Sequence, residues 1–390
     1  MAVKGIIGAV IGDVVGSRFE LPVGKNFPKY NFKWLGADST FTDDTVLTVA
    51  IADALLHGKK FEDVLWEWGH KYKYAGWGGR FRKWLKGSKD ERDPGTGNGC
   101  GMRISPVGFY AKSLKEVHDL AEKATLPTHG SPEGLKGAKA IASAVFLARK
   151  GKTKKEIEEY TKREFGYNLD FTREEIVEKV KAYQKGEVAL AENSIPVAIK
   201  AFLESEGYED AIRKAITYAG DTDTIACMAG GIAAAFYGVP DDLAAEVAQL
   251  LPEDLLAIIN EFDKTDFQSA RVTPGNTREW NVDSIRVYGS GAEGEGGEDG
   301  SAEVIVGRFN RQPRPGYPIR TIGVEFDAVQ KAVGEFIKYV GKHPEKVFLV
   351  KKVGLGKSGW GAERMAPLFL PLRNKINVYL PKEFLQVFDR

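Results

Sequence analysis

The chain reads as an all-α domain over residues 1–265 followed by a small α/β domain over residues 271–390. Three observations predict this. Apolar, alanine-rich runs of helical length dominate the first part, while convincing alternating strands are scarce there. The composition changes near Asp266, and short β-branched runs then appear around an amphipathic stretch. Finally, 390 residues exceed what one core usually accommodates.

The helices follow in order. Val46 to Leu56 is apolar enough to be buried, and Gly58 just past it is a common stop. Leu135 to Arg149 carries Ala138, Ala140, Ala142, Ala144 and Ala148, small residues that let helices approach closely. Thr224 to Phe236 has the same character, with Gly238 after it. Thr153 to Tyr160 and Glu174 to Tyr183 are more charged and are expected at the surface. Thr153 with Glu156 three residues on has the form of a capping box.

From Arg271 onward there are 19 Lys+Arg against 14 Asp+Glu, so this part carries +5 and the preceding 270 residues carry −4. Ser284–Tyr288, Ala302–Val306, Val347–Val350 and Ile376–Leu380 read as strands, and Val329 to Val340 as an amphipathic helix. A flexible loop is expected at Gly289–Gly297. Strands alternating with a helix predict a small α/β domain.

The net charge of the whole chain is +1. That balance gives no reason to expect a nucleic-acid or membrane partner, which would show as a basic excess. Two cysteines, Cys100 and Cys227, share no metal-ligand spacing and fit a reducing cytoplasm. Asp13 interrupts the apolar N-terminus, and no stretch is long enough to span a bilayer. A cytoplasmic, soluble protein is expected.

Five segments bear on chemistry. Thr42-Asp43-Asp44-Thr45 and Asp221-Thr222-Asp223-Thr224 resemble each other, stand about 180 residues apart, and each precedes a buried-looking helix. Helix capping by side-chain oxygens explains one acidic residue per helix. Clustered carboxylates repel, however, and are costly to bury without a cation. Asp and Thr oxygens suit Mg²⁺ or Mn²⁺ over zinc. On these residues alone, a metal site and double capping stand side by side.

Gly12-Asp13 with Gly16 and Glu20 is the third segment. Its glycines, four apart, permit close helix packing, and Asp13 would then be incidental. Gly95-Thr96-Gly97-Asn98-Gly99-Cys100-Gly101-Met102-Arg103 leaves backbone N–H groups free for an anion, yet it is neither a P-loop nor a dinucleotide fingerprint. Thr128-His129 is the fifth, and a lone His is more often structural than catalytic.

In this order along the chain, the five segments resemble the ADP-ribosylglycohydrolase family, which includes the enzyme that reactivates dinitrogenase reductase by removing ADP-ribose from arginine. The resemblance covers about residues 4 to 262. It implies an all-α orthogonal helical fold with a dinuclear Mg²⁺ or Mn²⁺ centre at the bottom of a cleft. Carried over by position, Thr42, Asp43, Asp44, Asp221, Asp223 and Thr224 match the metal ligands. Glu20 matches a glutamate with an acid/base or gating role, and Asp43, Asp44 and Asp223 share the catalytic set with it. Gly97, Asn98, Gly99, Met102 and His129 match the substrate-binding set, with the glycine loop on the diphosphate.

The family loop often has Ser or Tyr ahead of its Gly-Asn-Gly, where this chain has Gly95-Thr96. Residues 149–194 match no motif. The implied function is metal-dependent removal of ADP-ribose from a modified protein or small molecule. A non-catalytic ADP-ribose-binding module, and a same-fold hydrolase of another nucleotide sugar, are the alternatives. The C-terminal part, through Val353-Gly354-Leu355-Gly356-Lys357-Ser358-Gly359-Trp360 and Asn377-Val378-Tyr379-Leu380-Pro381, looks like an uncharacterised phage and bacterial domain of macro-domain character. Its Gly354–Gly359 loop would receive a phosphate or simply form a turn in a structural or oligomerising domain.

Overall fold

A computed structural model divides the chain into two compact units, residues 1–265 and 266–390. The structure describes residues 5–20, 27–184, 186–265 and 267, and in the second unit 284–290, 316–320, 325–343, 347–350, 353, 355, 360–373, 375 and 378–388.

In the first unit the described residues form helices and short connections. They are α1 (Ile7–Gly16), α2 (Asp43–His57), α3 (Phe61–Lys71), α4 (Gly79–Lys86), α5 (Gly99–Met102), α6 (Ser105–Tyr110), α7 (Leu114–His129) and α8 (Pro132–Arg149). There follow α9 (Lys154–Phe165), α10 (Arg173–Ala182), α11 (Ala191–Glu204), α12 (Tyr208–Thr217), α13 (Thr222–Tyr237), α14 (Asp241–Ala248) and α15 (Glu253–Lys264). The expected stops are present: Gly58 takes a left-handed φ of 64° after α2. The capping box at Thr153 and Glu156 closes in both directions and opens α9.

The centre of the unit is the pair α1 and α13. All ten residues of α1 are buried, as is α13 from Thr222 to Ala235. Glycines four apart on α1 set the separation of the two helices. A Cβ at Gly12 would fall 2.1 Å from the Ala226 carbonyl oxygen, and one at Gly16 would fall 2.6 Å from the Asp223 Cα. The spacing read from sequence therefore serves close approach, and it carries Asp13 up to the first residues of α13. Thr222 Oγ1 donates to the Gly16 carbonyl at 3.0 Å and pins the two ends together. At the far end of α1, the Asp263 carboxylate on α15 accepts the free N–H groups of Ile6 (2.7 Å) and Ile7 (3.2 Å).

Helix α2 packs beside this pair, buried from Asp44 to Leu55. In the segment before it, residues 30–34 lie against α12. There the Arg213 guanidinium stacks over Phe32 and Trp34 and donates to the carbonyls of Tyr30 and Phe32.

Among the described residues of the second unit are four parallel strands, β1 (Ser284–Ser290), β2 (Gly316–Arg320), β3 (Val347–Val350) and β4 (Val378–Tyr379), in the order β2-β1-β3-β4. Helix α16 (Phe326–Lys342) follows β2, α17 (Ala362–Phe369) follows β3 and α18 (Lys382–Phe388) follows β4. Val333, Phe336, Phe348, Phe369 and Phe384 form their buried core. The strand expected at Ala302–Val306, most of the Gly289–Gly297 loop and most of the Gly354–Gly359 loop lie outside the described residues.

Candidate functional site

The N-termini of α2 and α13 meet beside the C-terminal half of α1, and each delivers carboxylates. Thr42 caps α2, its Oγ1 accepting the Asp44 N–H at 3.2 Å. The remaining cap comes from another helix. Asp13 Oδ2 accepts the N–H groups of Thr42 (2.9 Å) and Thr45 (3.0 Å) together with the Thr45 hydroxyl, and Asp13 Oδ1 accepts the Thr42 hydroxyl at 2.7 Å. Asp13, fully buried, is thus not incidental to a packed helix. It does the capping that the acidic segment was expected to do for itself, and this frees Asp43 and Asp44.

Helix α13 is entered through a tight turn. Ala219 (φ 63°) is the only non-glycine with positive φ among the described residues, and Gly220 (φ 86°) follows it. A strained alanine persists where its surroundings over-determine it. Here the turn sets Asp221 and Asp223 against the end of α1.

Two groups of three carboxylates result, Asp13 with Asp44 and Asp223, and Glu20 with Asp221 and Asp223. Within each group one oxygen per residue lies within 4.8 Å of the others, and Asp223 belongs to both. The Thr224 hydroxyl donates to Asp44 Oδ2 at 3.2 Å, and its N–H to Asp223 Oδ1 at 2.9 Å. Asp44 Oδ1 is buried with no hydrogen-bond partner among the described residues. Burial, then the neighbouring carboxylates, raises Asp44 and Asp223 well above the usual carboxylate range, and no cationic side chain offsets this. Glu20, half-buried, is raised by burial and then by Asp221 and Asp13.

Asp43 belongs to neither group, and a Cβ at Gly76 would lie 3.4 Å from its Oδ1. Burial, with Asp13 and Asp221, pushes its carboxyl up to about 8.

The glycine loop reaches the same place from the other side. Asn98 Nδ2 donates to Asp221 Oδ2 at 2.7 Å and to Ser194 Oγ at 3.0 Å, so its amide nitrogen is committed to the protein. Its own N–H donates to the Ala189 carbonyl at 2.8 Å, and the Ala191 N–H to the Thr96 carbonyl at 2.9 Å. These bonds clamp the loop onto residues 188–194, a stretch that offered no recognisable motif. The N–H groups of Gly97 and Gly99 have no acceptor among the described residues. Met102 is buried, its carbonyl taking the Thr48 hydroxyl and the Cys227 thiol. The His129 ring lies against the loop glycines.

The structure therefore gathers Glu20, Asp44, Asp221, Asp223 and Thr224 and adds Asp13, which spacing alone did not single out. Thr42 reaches this cluster through Asp13 and directly through Asp44, whose Oδ2 lies 3.4 Å from its hydroxyl. Asn98 and Ser194 are the link to the loop. Nothing in local sequence announced that link, because it joins residues 96 and 123 positions apart.

A helical body thus concentrates buried carboxylates at two helix starts, beside a loop whose Gly97 and Gly99 N–H groups have no acceptor among the described residues. The ADP-ribosylglycohydrolase family profile matches residues 2–271, and the chain belongs to that family of glycosidic-bond hydrolases.

The human ADP-ribosylhydrolase ARH3 is 28% identical over 60% of this chain and 84% of its own length. The ADP-ribosylarginine hydrolase Tri1 of Pseudomonas putida (strain GB-1) is 25% identical over 67% of this chain and 79% of its own. A solved structure described as an ADP-ribosylglycohydrolase-related protein complex superposes with a TM-score of 0.52 at 23% identity, covering 67% of this chain and 96% of that one. It shows the shared helical fold. The family match ends at residue 271 and does not extend over the second unit. No helix among the described residues is long and apolar enough to cross a membrane.

Proposed function

We propose that this chain removes ADP-ribose from a modified acceptor by metal-dependent attack of water at the anomeric carbon. The observation that carries this is the pair of carboxylate groups sharing Asp223 and tied to the glycine loop through Asn98. Relatives named for acting on ADP-ribosylated substrates support it.

The residues fit divalent cations. The donors are all hard oxygens, the carboxylates lack a compensating cation, and Asp44 Oδ1 is an orphaned buried acceptor. Asp44, Asp223 and Thr224, with Thr42 at the edge, would hold one ion, and Asp221 and Asp223 a second, Mg²⁺ or Mn²⁺, with Glu20 beside it. Such ions, when bound, align ribose hydroxyls and lower the pKa of water.

The protein groups do the rest. Gly97 and Gly99 bind the diphosphate through their N–H groups, and orientation of this remote part contributes to rate. Nearby carboxylates favour the positive charge that develops at the anomeric carbon. Glu20, beside Asp221 in the cluster, is placed to deliver a proton to the leaving group. The glycosidic bond breaks with its electron pair passing to the acceptor, which leaves with that proton, while water adds at the anomeric carbon as the new hydroxyl and returns its second proton to Glu20.

We place Asp13 and Asn98 as positioning residues, and Asp43 at the cleft edge in a supporting role. Residues 271–390, with four parallel strands and flanking helices, we read as a small α/β domain.

The test is a panel of ADP-ribosyl-arginine, ADP-ribosyl-serine, O-acetyl-ADP-ribose and NAD with Mg²⁺ or Mn²⁺. Release of ADP-ribose from at least one ADP-ribosylated compound supports the reading. Binding without turnover of any would leave a sensing module, and turnover of NAD alone another substrate class.

A further inference from the structure

Behind the glycine loop lies an arrangement that this chemistry does not use. Arg103 is fully buried. Its Nη2 donates to Thr128 Oγ1 at 2.7 Å and to the Ala124 carbonyl at 3.2 Å, while Nε and Nη1 are buried without an acceptor among the described residues. Thr128, also buried, makes one further side-chain contact, 2.9 Å from Oγ1 to His129 Nδ1.

A guanidinium only donates, so the Thr128 oxygen accepts from Arg103. The threonine proton still needs an acceptor in this buried setting, and His129 Nδ1 is the one in reach. A ring nitrogen that accepts carries no proton, which leaves the proton of the neutral ring on Nε2. That edge faces the loop. A Cβ at Gly99 would lie 2.9 Å from both Nε2 and Cε1, and one at Gly97 3.5 Å from Nε2. A side chain at Gly99 would crowd the nitrogen, one at Gly97 would touch it, and glycine leaves it open.

We propose that Arg103, acting through the Thr128 hydroxyl, fixes His129 as the neutral tautomer protonated at Nε2, so that the ring presents a permanent hydrogen-bond donor to the anion held at Gly97 and Gly99. The role of that donor rests on the ADP-ribose reading, whereas the tautomer does not. Burial holds the ring well below the usual histidine range, and Arg103 and Arg80, the charged groups facing it, act in the same sense. The donor therefore does not titrate near neutral pH. Arg103 is a positioning residue.

The experiment uses the full-length, ligand-free protein with ¹⁵N-labelled histidine, the His129 signals being identified by their loss in His129→Gln. A long-range proton–nitrogen spectrum is expected to show Nδ1 unprotonated and Nε2 protonated, unchanged from about pH 8 to about pH 6. Thr128→Val, close in shape, removes the hydroxyl and should give mixed tautomers. It should also weaken ADP-ribose binding in calorimetry about tenfold, the size of one lost oriented hydrogen bond. Thr128→Ser should restore the wild-type spectrum and affinity.

A proton on Nδ1 in the wild-type protein would overturn the proposal, as would a Thr128→Val spectrum identical to wild type. Absence of ADP-ribose heat in the wild type would instead count against the proposed function, while the nitrogen spectrum still decides the tautomer.

Discussion

Asp13 shows how a residue can matter to a site without facing its ligand. Both of its oxygens are occupied by Thr42 and Thr45, so it fixes the Thr42 hydroxyl as an acceptor toward the cluster and anchors the start of α2. Asp13→Ala would leave several buried donors unpaired, at about 1–3 kcal/mol for each group left unsatisfied. It should lower the melting temperature of the metal-free protein and weaken Mn²⁺ binding as well. Asp44→Ala should do the reverse for stability, because it removes a carboxylate that burial and its neighbours already destabilise. Calorimetric melting of both variants, with a Mn²⁺ titration of each, checks the contrast. Spacing along the chain made Asp44 and Asp223 visible, since each sits in an acidic-hydroxyl segment before a helix. Asp13 stayed ambiguous because a single acid beside glycines gives no local sign of what it meets across the fold.

Among elements, the close pair α1 and α13 decides whether the site forms at all. Gly12→Ala puts a methyl group against the Ala226 carbonyl, a backbone atom that cannot swing away. A loss of roughly 1–3 kcal/mol or more follows from such overpacking, with cation affinity falling in parallel as Asp13 and Asp223 separate. This pairing was legible in the Gly12–Gly16 spacing, and the buried helices α2, α8 and α13 in their apolar and alanine runs. The clamp of residues 188–194 on the glycine loop was not, because it is made by backbone groups, which every sequence possesses.

The junction of α15 with α1 makes a separate prediction. Burial raises the Asp263 carboxyl to about 7, against an unfolded value of 3.8. The protonated form is favoured by the fold, so its stabilising effect is complete below about pH 4 and is lost as the pH rises through 7. Comparing Asp263→Asn with wild type by thermal melting should therefore show the wild-type advantage shrinking across that window. The change should be on the order of 2 kcal/mol, less than the full three-unit shift implies, because the half-buried group retains some solvent.

For the whole molecule, charge is divided unevenly. The first unit concentrates unneutralised carboxylates in one place although the chain as a whole is nearly neutral at +1. Overall composition therefore said little about the site. The ordered motifs said more, and they stop where the first unit ends. All the carboxylates of the cluster, the loop and His129 lie within residues 1–265, so a fragment of those residues should melt cooperatively and retain Mn²⁺ binding.

The most direct measurement is Mn²⁺ binding to the metal-stripped protein, followed by electron paramagnetic resonance, for wild type and Asp223→Ala side by side with the release of ADP-ribose. Asp223 belongs to both carboxylate groups. The account predicts two bound ions per chain in the wild type, loss of both in the variant, and loss of ADP-ribose release with them. Undiminished Mn²⁺ binding by Asp223→Ala, or full ADP-ribose release in the presence of a chelator, would contradict it.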